Sequence, residues 1–344
     1  MNGIESLLSV QGLKKYFPVG GSIFGKRKYL RANENINLEI EKGETFSLVG
    51  ESGSGKSTLG KTILGLHKPT AGKVVYRGTG EEIELTKLTN KQMRPLRSDL
   101  QIIFQDPYSS LNPRMTIGQM IEEGVATHGY YHRGTPQMRE YVVSVVEKCG
   151  LQADALGRYP HQFSGGQRQR VCIARALAVQ PKFVVCDECV SALDASIQSQ
   201  ILNLLHELKE KEDLTYLFIS HDLSVVRHVS DRIAVMYLGN IVETGTAKQV
   251  FENPRHPYTL ALISAAPSIK KSRTEKEPIL LKGSIPSPIS PPSGCKFHTR
   301  CFMACGECER NPAPMVEIEK GHFVSCHFAY KTAKEKREIA KNNA

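Results

Sequence analysis

No apolar run in this chain approaches the ~20 residues needed to cross a bilayer, and Met1 to Leu8 lack the basic-then-apolar pattern of a secretion signal. Both absences argue against a membrane span and predict a chain that is made and stays in the cytosol. Acidic residues are the scarcer charge: 35 against 45 basic ones leave a formal net charge of +10, with basic clusters at Lys26-Arg27-Lys28, Lys270-Lys271-Ser272-Arg273 and Lys331 to Lys341. That balance suits an acidic partner, either anionic lipid headgroups or nucleic acid, although a solvated surface is the plainest account of each run. A length of 344 residues is enough for one large α/β domain with an appendage.

The most informative stretch is Gly50-Glu51-Ser52-Gly53-Ser54-Gly55-Lys56-Ser57-Thr58, between the β-branched and apolar run Thr45 to Val49 and the helix-forming Leu59 to Leu66. This is G-x-x-x-x-G-K-[ST] in the strand-loop-helix context that a phosphate-binding loop requires. Its glycines let the backbone fold around an anion, so that successive N–H groups and the positive end of the next helix point at phosphate oxygens. Lys56 would reach the β- and γ-phosphates, and the Ser57 hydroxyl would go to Mg²⁺. A glycine-rich turn with a chance lysine is the bland alternative; the flanking strand and helix favour binding of a nucleoside triphosphate.

A second helix N-terminus opens on Phe163-Ser164-Gly165-Gly166-Gln167-Arg168-Gln169-Arg170. Small residues there allow close backbone approach to an anion, and Gln167 adds an amide. One γ-phosphate has no use for two such ends from one chain unless they meet across a dimer. This segment resembles the signature motif of ATP-binding cassette (ABC) ATPases, and the rest of the cassette follows in that family's order. The resemblance implies ATP and Mg²⁺ as ligands and an ABC-type P-loop α/β fold, with a RecA-like core, an antiparallel β subdomain and a helical subdomain. Phe183 to Glu188 resembles Walker B: Asp187 would hold Mg²⁺ through water, and Glu188 would be the general base on the attacking water. Gln105 matches the Q-loop glutamine that touches Mg²⁺ and the lytic water. Ser191-Ala192-Leu193-Asp194 resembles the D-loop, and His221 matches the switch histidine. The adenine would stack on Phe17, favoured by its spacing from Lys14-Lys15, with Tyr16 the alternative.

Periodicity gives strands at Leu7 to Val10, Ile36 to Ile40, Thr45 to Val49 and Lys73 to Tyr76, then at Leu100 to Phe104, Phe183 to Cys186, Thr215 to Ser220 and Arg232 to Met236. The later strands alternate with helical stretches, as a parallel, helix-covered core demands. Ile117 to Val125 and Gln137 to Cys149 read as helices; Tyr141, Val142, Val145, Val146 and Cys149 make an apolar stripe on the second. The expected division is a nucleotide-binding domain over 1–265, its helical subdomain at about 106–165, and an extension over 266–344.

Beyond residue 265, Pro278, Pro286, Pro288, Pro291 and Pro292 mark an extended connector. It leads to Cys295, Cys301, Cys305, Cys308 and Cys326, with His298, His322 and His327 nearby. In a reducing compartment such clustered thiols point to a metal rather than to disulfides. Gly283 to Pro288 and this cysteine pattern resemble the C-terminal extension of ATPases in peptide, dipeptide and nickel importers, and the insertion Pro18 to Arg31 looks like their second, F-type subunit. The resemblance implies a [4Fe-4S] cluster on Cys295, Cys301, Cys308 and Cys326, with zinc as the competing metal. Cys305 is extra: it could replace Cys308 or be idle. Cys189, where the family usually has proline, and Cys186 are the two departures; neither removes a catalytic group.

The implied function is ATP hydrolysis driving peptide import. The partners are a second, different ABC ATPase subunit, two integral membrane permease subunits and an extracytoplasmic solute-binding protein, with the chain peripheral on the cytoplasmic face of the membrane. The rival is a nucleic-acid-associated ABC ATPase of the repair or chromosome type carrying zinc. Those proteins insert a long coiled coil or a DNA-binding module between the Q-loop and signature, and Gln105 to Ser164 leaves room only for a small helical subdomain. A metal-sensing or redox-regulated switch is a third reading, resting on the cysteines alone.

Overall fold

The computed structural model describes residues 6–20, 27–266 and 278–342. Lys26, the cluster Lys270 to Arg273 and the middle of the 18–31 insertion lie outside the described residues. The strands are β1 Ser6–Val19, β2 Lys28–Glu41, β3 Thr45–Val49, β4 Ala71–Tyr76, β5 Ile83–Glu84, β6 Leu100–Ile103, β7 Phe183–Asp187, β8 Thr215–Ser220, β9 Arg232–Tyr237, β10 Asn240–Thr246, β11 Met315–Glu319 and β12 His322–Ser325. The chain divides into two compact units, the first made of residues 1–7, 41–44 and 76–219 and the second of residues 8–40, 45–75 and 220–344.

In the first unit β6, β7 and β8 run parallel, Leu100 opposite Phe183 and Phe183 opposite Thr215. Every residue of β7 and β8 is buried, as expected for parallel strands covered on both faces. The helix Ile117–Thr127 starts at a Thr116–Gln119 capping box. The next, Pro136–Lys148, begins one residue earlier than periodicity suggests, because Pro136 suits the first helical position and Thr135 caps it. Its stripe is present: Val142, Val145, Val146 and Cys149 are buried, and Tyr141 is half-buried with its hydroxyl on the Ala178 carbonyl at 2.8 Å.

In the second unit β9 pairs parallel with β3, Phe46 opposite Arg232, and antiparallel with β10. β10 pairs with β12 through Glu243 opposite Val324, and β12 with β11. The tail thus supplies two strands to this sheet, which the sequence analysis did not anticipate. β1 lies between β2 and β4; β1 and β2 are each 14 residues long, far beyond the short runs read from periodicity. The proline-rich connector holds no helix or strand from 278 to 297.

The contacts that join the tail to the rest of this unit include a cluster of rings and a buried carboxylate. Phe297 packs on Tyr237, Tyr258 and His256 with ring centroids 5.2, 5.3 and 5.6 Å apart. Glu243, fully buried, accepts from the backbone N–H groups of Arg255 and His256 and lies 2.8 Å from Nε2 of His322. Such a carboxylate is tolerated only because its oxygens are paired.

His256 is buried, and burial, with the Lys336 charge behind it, lowers its pKa from 6.5 to about 3. Its Nδ1 accepts from Tyr258 N–H, capping the helix Pro257–Ala265. The unfolded chain therefore takes up a proton near pH 6.5 that the folded chain refuses. Stability contributed by this group is complete above pH 6.5 and is lost as pH falls toward 3, at about 1.4 kcal/mol per pH unit. In urea titrations between pH 7 and 4, His256→Asn, which keeps a capping oxygen, is expected to lose stability less steeply than wild type, by about one proton. Parallel slopes would show that His256 does not titrate this way.

Candidate active site

β3 runs into the 50–55 loop, and the helix Lys56–Ile63 starts with Gly55 at its N-cap, φ 102°. Two glycines here are required by close approach as well as by conformation. A Cβ on Gly50 (φ 149°) would lie 2.1 Å from the Met236 carbonyl oxygen, and one on Gly55 2.1 Å from that of Ala32. The loop is also fastened by hydrogen bonds: Asn33 Nδ2 donates to Gly55 O at 3.1 Å and Gly239 N–H to Ser54 O at 2.9 Å. Lys56 is buried and its Nζ donates to the carbonyls of Gly50 and Glu51 at 2.8 and 3.1 Å. Ser52 and Gly53 are exposed, Ser54 is buried, and Ser57 and Thr58 are half-buried in the first helical turn.

The two candidate aromatics differ. Tyr16 donates its hydroxyl to Glu34 at 2.5 Å, and burial, then Glu34, raises its pKa. Phe17 is half-buried, edge-on to His67 at 5.5 Å, with the Lys15 ammonium 4.5 Å over its ring. His221 is exposed just past β8, where Asp222 caps the helix Leu223–Val229.

In the first unit, β7 ends on buried Asp187, and Glu188 follows in the left-handed region at φ 49°. A non-glycine residue held there signals local strain of the kind found at functional sites. Its backbone N–H reaches the Ile219 carbonyl at 3.0 Å, and its Oε2 accepts from Gln105 Nε2 at 2.9 Å. Two residues 83 positions apart and chosen by motif are thus in contact. Asp194 caps the helix Ala195–Glu212. The signature helix Gly165–Leu177 opens with a capping box in which Ser164 Oγ accepts from Gln167 N–H while Gln167 Oε1 accepts from Ser164 N–H. The Gln167 amide oxygen thus serves its own helix terminus. A Cβ on Gly166 would meet Ile197 Cγ2 at 2.4 Å, so the glycine permits close helix packing as well as exposed amides. Cys186 and Cys189 are both buried; a hydrogen bond to Cys189, then burial, pushes the Cys186 thiol well up.

In the tail, Cys308 is buried, Cys295, Cys301 and Cys326 are half-buried, and Cys305 is exposed. Burial pushes the thiols of Cys301 and Cys326 up to about 12 and about 11, and the charges of Cys295 and Cys308 act on both in the same direction. Backbone N–H groups of Met303 and Phe328 point at Cys301 Sγ and Cys326 Sγ, each at 3.4 Å. Cys305 Sγ lies 3.7 Å from Cys308 Sγ. The four thiols named for the cluster therefore share one neighbourhood without standing at ligand spacing: among the described residues no group of three or more His, Cys, Asp and Glu side chains is gathered to hold a metal ion. His322 is turned to Glu243, His298 to the Cys295 carbonyl and His327 to that of Asn311.

Sequence reasoning missed Glu51, Arg300 and Tyr258. The Arg300 guanidinium donates to both carboxylate oxygens of Glu51 at 2.7 and 3.0 Å, and Glu51 N–H donates to the Tyr258 hydroxyl at 2.8 Å. The available signal was an acidic residue inside a phosphate loop, which calls for a cation.

With this geometry in place, comparison with known proteins gives a consistent answer. The ABC transporter family matches residues 33–191, and the C-terminal region of oligopeptide/dipeptide transporters matches residues 242–308. The oligopeptide transport ATP-binding protein AppF of Bacillus subtilis is 45% identical over 327 residues, 94% of this chain and 98% of its own length. OppF of Escherichia coli is 47% identical over 333 residues, 94% and 96% of the two chains. Among solved structures, a dimeric ATP-binding cassette in a post-hydrolysis state bound to ADP and Pi is 29% identical with a TM-score of 0.62, covering 70% of this chain and 98% of its own. The chain belongs to the ATP-binding subunits of the oligopeptide and dipeptide ABC transporters.

Proposed function

We propose that the chain hydrolyses ATP to drive import of oligopeptides or dipeptides, working as a peripheral subunit on the cytoplasmic face of the membrane. The observation that carries the catalytic part is the Gln105–Glu188 contact at the end of a buried strand, with Glu188 in a strained backbone conformation. Strain of this sort persists where the surrounding fold over-determines it, and it aims a carboxylate at one place.

In this reading the backbone from Ser52 to Thr58 wraps the phosphates, and Lys56 exchanges loop carbonyls for β- and γ-oxygens. Ser57, Asp187 and, through its amide oxygen, Gln105 would hold Mg²⁺, whose chemistry is to neutralise charge on the leaving phosphates. The residues fit that ion: one hydroxyl, one carboxylate and one amide oxygen are hard donors. Glu188 takes the proton of the attacking water, and His221 contacts the γ-phosphate. Adenine stacks on Phe17 or Tyr16; the Tyr16 hydroxyl already serves Glu34, which favours Phe17. Residues Ser164 to Gln167 act on the nucleotide of a partner cassette, a different subunit. Two permease subunits and an external solute-binding protein complete the importer, and residues 266–344 act as an extension to a cassette over 1–265.

The nucleic-acid alternative loses ground in the region that would carry its insertion. Between Gln105 and Ser164 the α-helices are Pro107–Ser110, Ile117–Thr127 and Pro136–Lys148, followed by the short turns Ala153–Gly157 and Pro160–Gln162. No coiled coil is among them.

For the tail, Cys295, Cys301, Cys308 and Cys326 would hold a structural [4Fe-4S] cluster, drawn together from the neighbouring positions they take here. Four sulfur donors with N–H groups aimed at two of them suit thiolate ligation. Cys305, exposed beside Cys308, is the spare.

In the assembled transporter, Glu188→Gln is expected to keep ATP binding, favour the closed dimer and lower turnover by roughly 10²- to 10⁴-fold. Near-normal hydrolysis would remove Glu188 from the role of base. Protein purified without oxygen is expected to be brown and to carry about four irons per chain; Cys308→Ser should bleach it and Cys305→Ser should not. Colourless protein with stoichiometric zinc would replace the cluster by a Cys₄ zinc site.

A further inference from the structure

We propose that Arg300 is a positioning residue for ATP binding: from the cysteine-rich tail it neutralises Glu51 and draws that carboxylate away from the triphosphate. The inference rests on the reading of the 50–58 loop as the phosphate site. Glu51 is the second residue of a loop whose N–H groups are arranged for a polyanion, so an unpaired carboxylate there would oppose the ligand that the loop is shaped to hold. Arg300 meets both oxygens of that carboxylate in the two-pronged geometry that is strongest for this pair. The guanidinium is 8% exposed and the Glu51 side chain 25%, which limits screening by water and salt.

Both partners are held from the same direction. Glu51 N–H is bonded to Tyr258, whose ring packs at 4.8 Å on Tyr237 and 5.3 Å on Phe297. Arg300 ends the helical turn His298–Arg300, its guanidinium 5.9 Å over the Tyr237 ring. The bridge joins residues 249 positions apart, one in the phosphate loop and one beside Cys301. Lys56 Nζ, bonded to the Glu51 carbonyl, is anchored to this same residue. Losing Arg300 would thus leave Glu51 charged and close to the triphosphate.

The sign of this effect separates it from simple packing. With the full chain in its transporter, Arg300→Met is expected to raise KM for MgATP about three- to tenfold with a much smaller change in kcat, as for an interaction made equally in ground and transition states. Adding Glu51→Gln to Arg300→Met removes the repulsive charge and should restore KM to within about twofold of wild type. The defect of the single variant should shrink at higher ionic strength. A double variant as weak as Arg300→Met, or a defect indifferent to salt, would overturn the proposal and leave Arg300 as packing. Arg300→Lys, which keeps the charge, guards against misfolding: it should bind ATP better than Arg300→Met, and equal weakness would also count against the charge argument. If wild type itself failed to bind MgATP, the loop assignment would fall instead, a result these comparisons distinguish.

Discussion

The 50–55 loop is wedged by its neighbours in the second unit. Its main chain passes so close to the carbonyl oxygens of Met236 and Ala32 that no side chain fits at Gly50 or Gly55. Met236 belongs to β9 and Ala32 to β2, so two strands distant in sequence fix the loop from outside. An anion site made of backbone amides works only when those amides are held still, since their dipoles must not have to reorganise around the ligand. The bonds from Asn33 and Gly239 serve the same end.

The first unit solves a different problem. Here a fully buried parallel strand stops at Asp187 and turns abruptly at Glu188, where the proposed reading needs a carboxylate held at one spot. Cys189 follows in the turn after Glu188. Its thiol is buried beside that of Cys186.

What was legible in the sequence was whatever local chemistry dictates. The loop at 50–58, the helix opening at Ser164 and the acid pair at 187–188 each declare themselves because anion and metal binding demand particular residue types at fixed spacing. Parallel strands were found from apolar runs, with β6 ending one residue sooner than expected. The long strands β1 and β2 were seen only in part, because the stretches 11–19 and 28–35 are mostly half-buried or exposed and lack the regular alternation that marks a strand. Arg300, Tyr258 and the pairing of β12 with β10 were not seen at all: they depend on contacts made across the fold, and no local pattern in the tail names Glu51 or Glu243 as the partner.

The pairing of β10 with β12 has one further consequence. A chain stopped at residue 265 would keep the 50–58, 164–170 and 187–188 segments but would bare the edge of β10 that β12 covers, at Glu243 and Thr244. Such an edge is a template for pairing with another molecule. The tail therefore covers an edge that would otherwise be open to pairing with another strand.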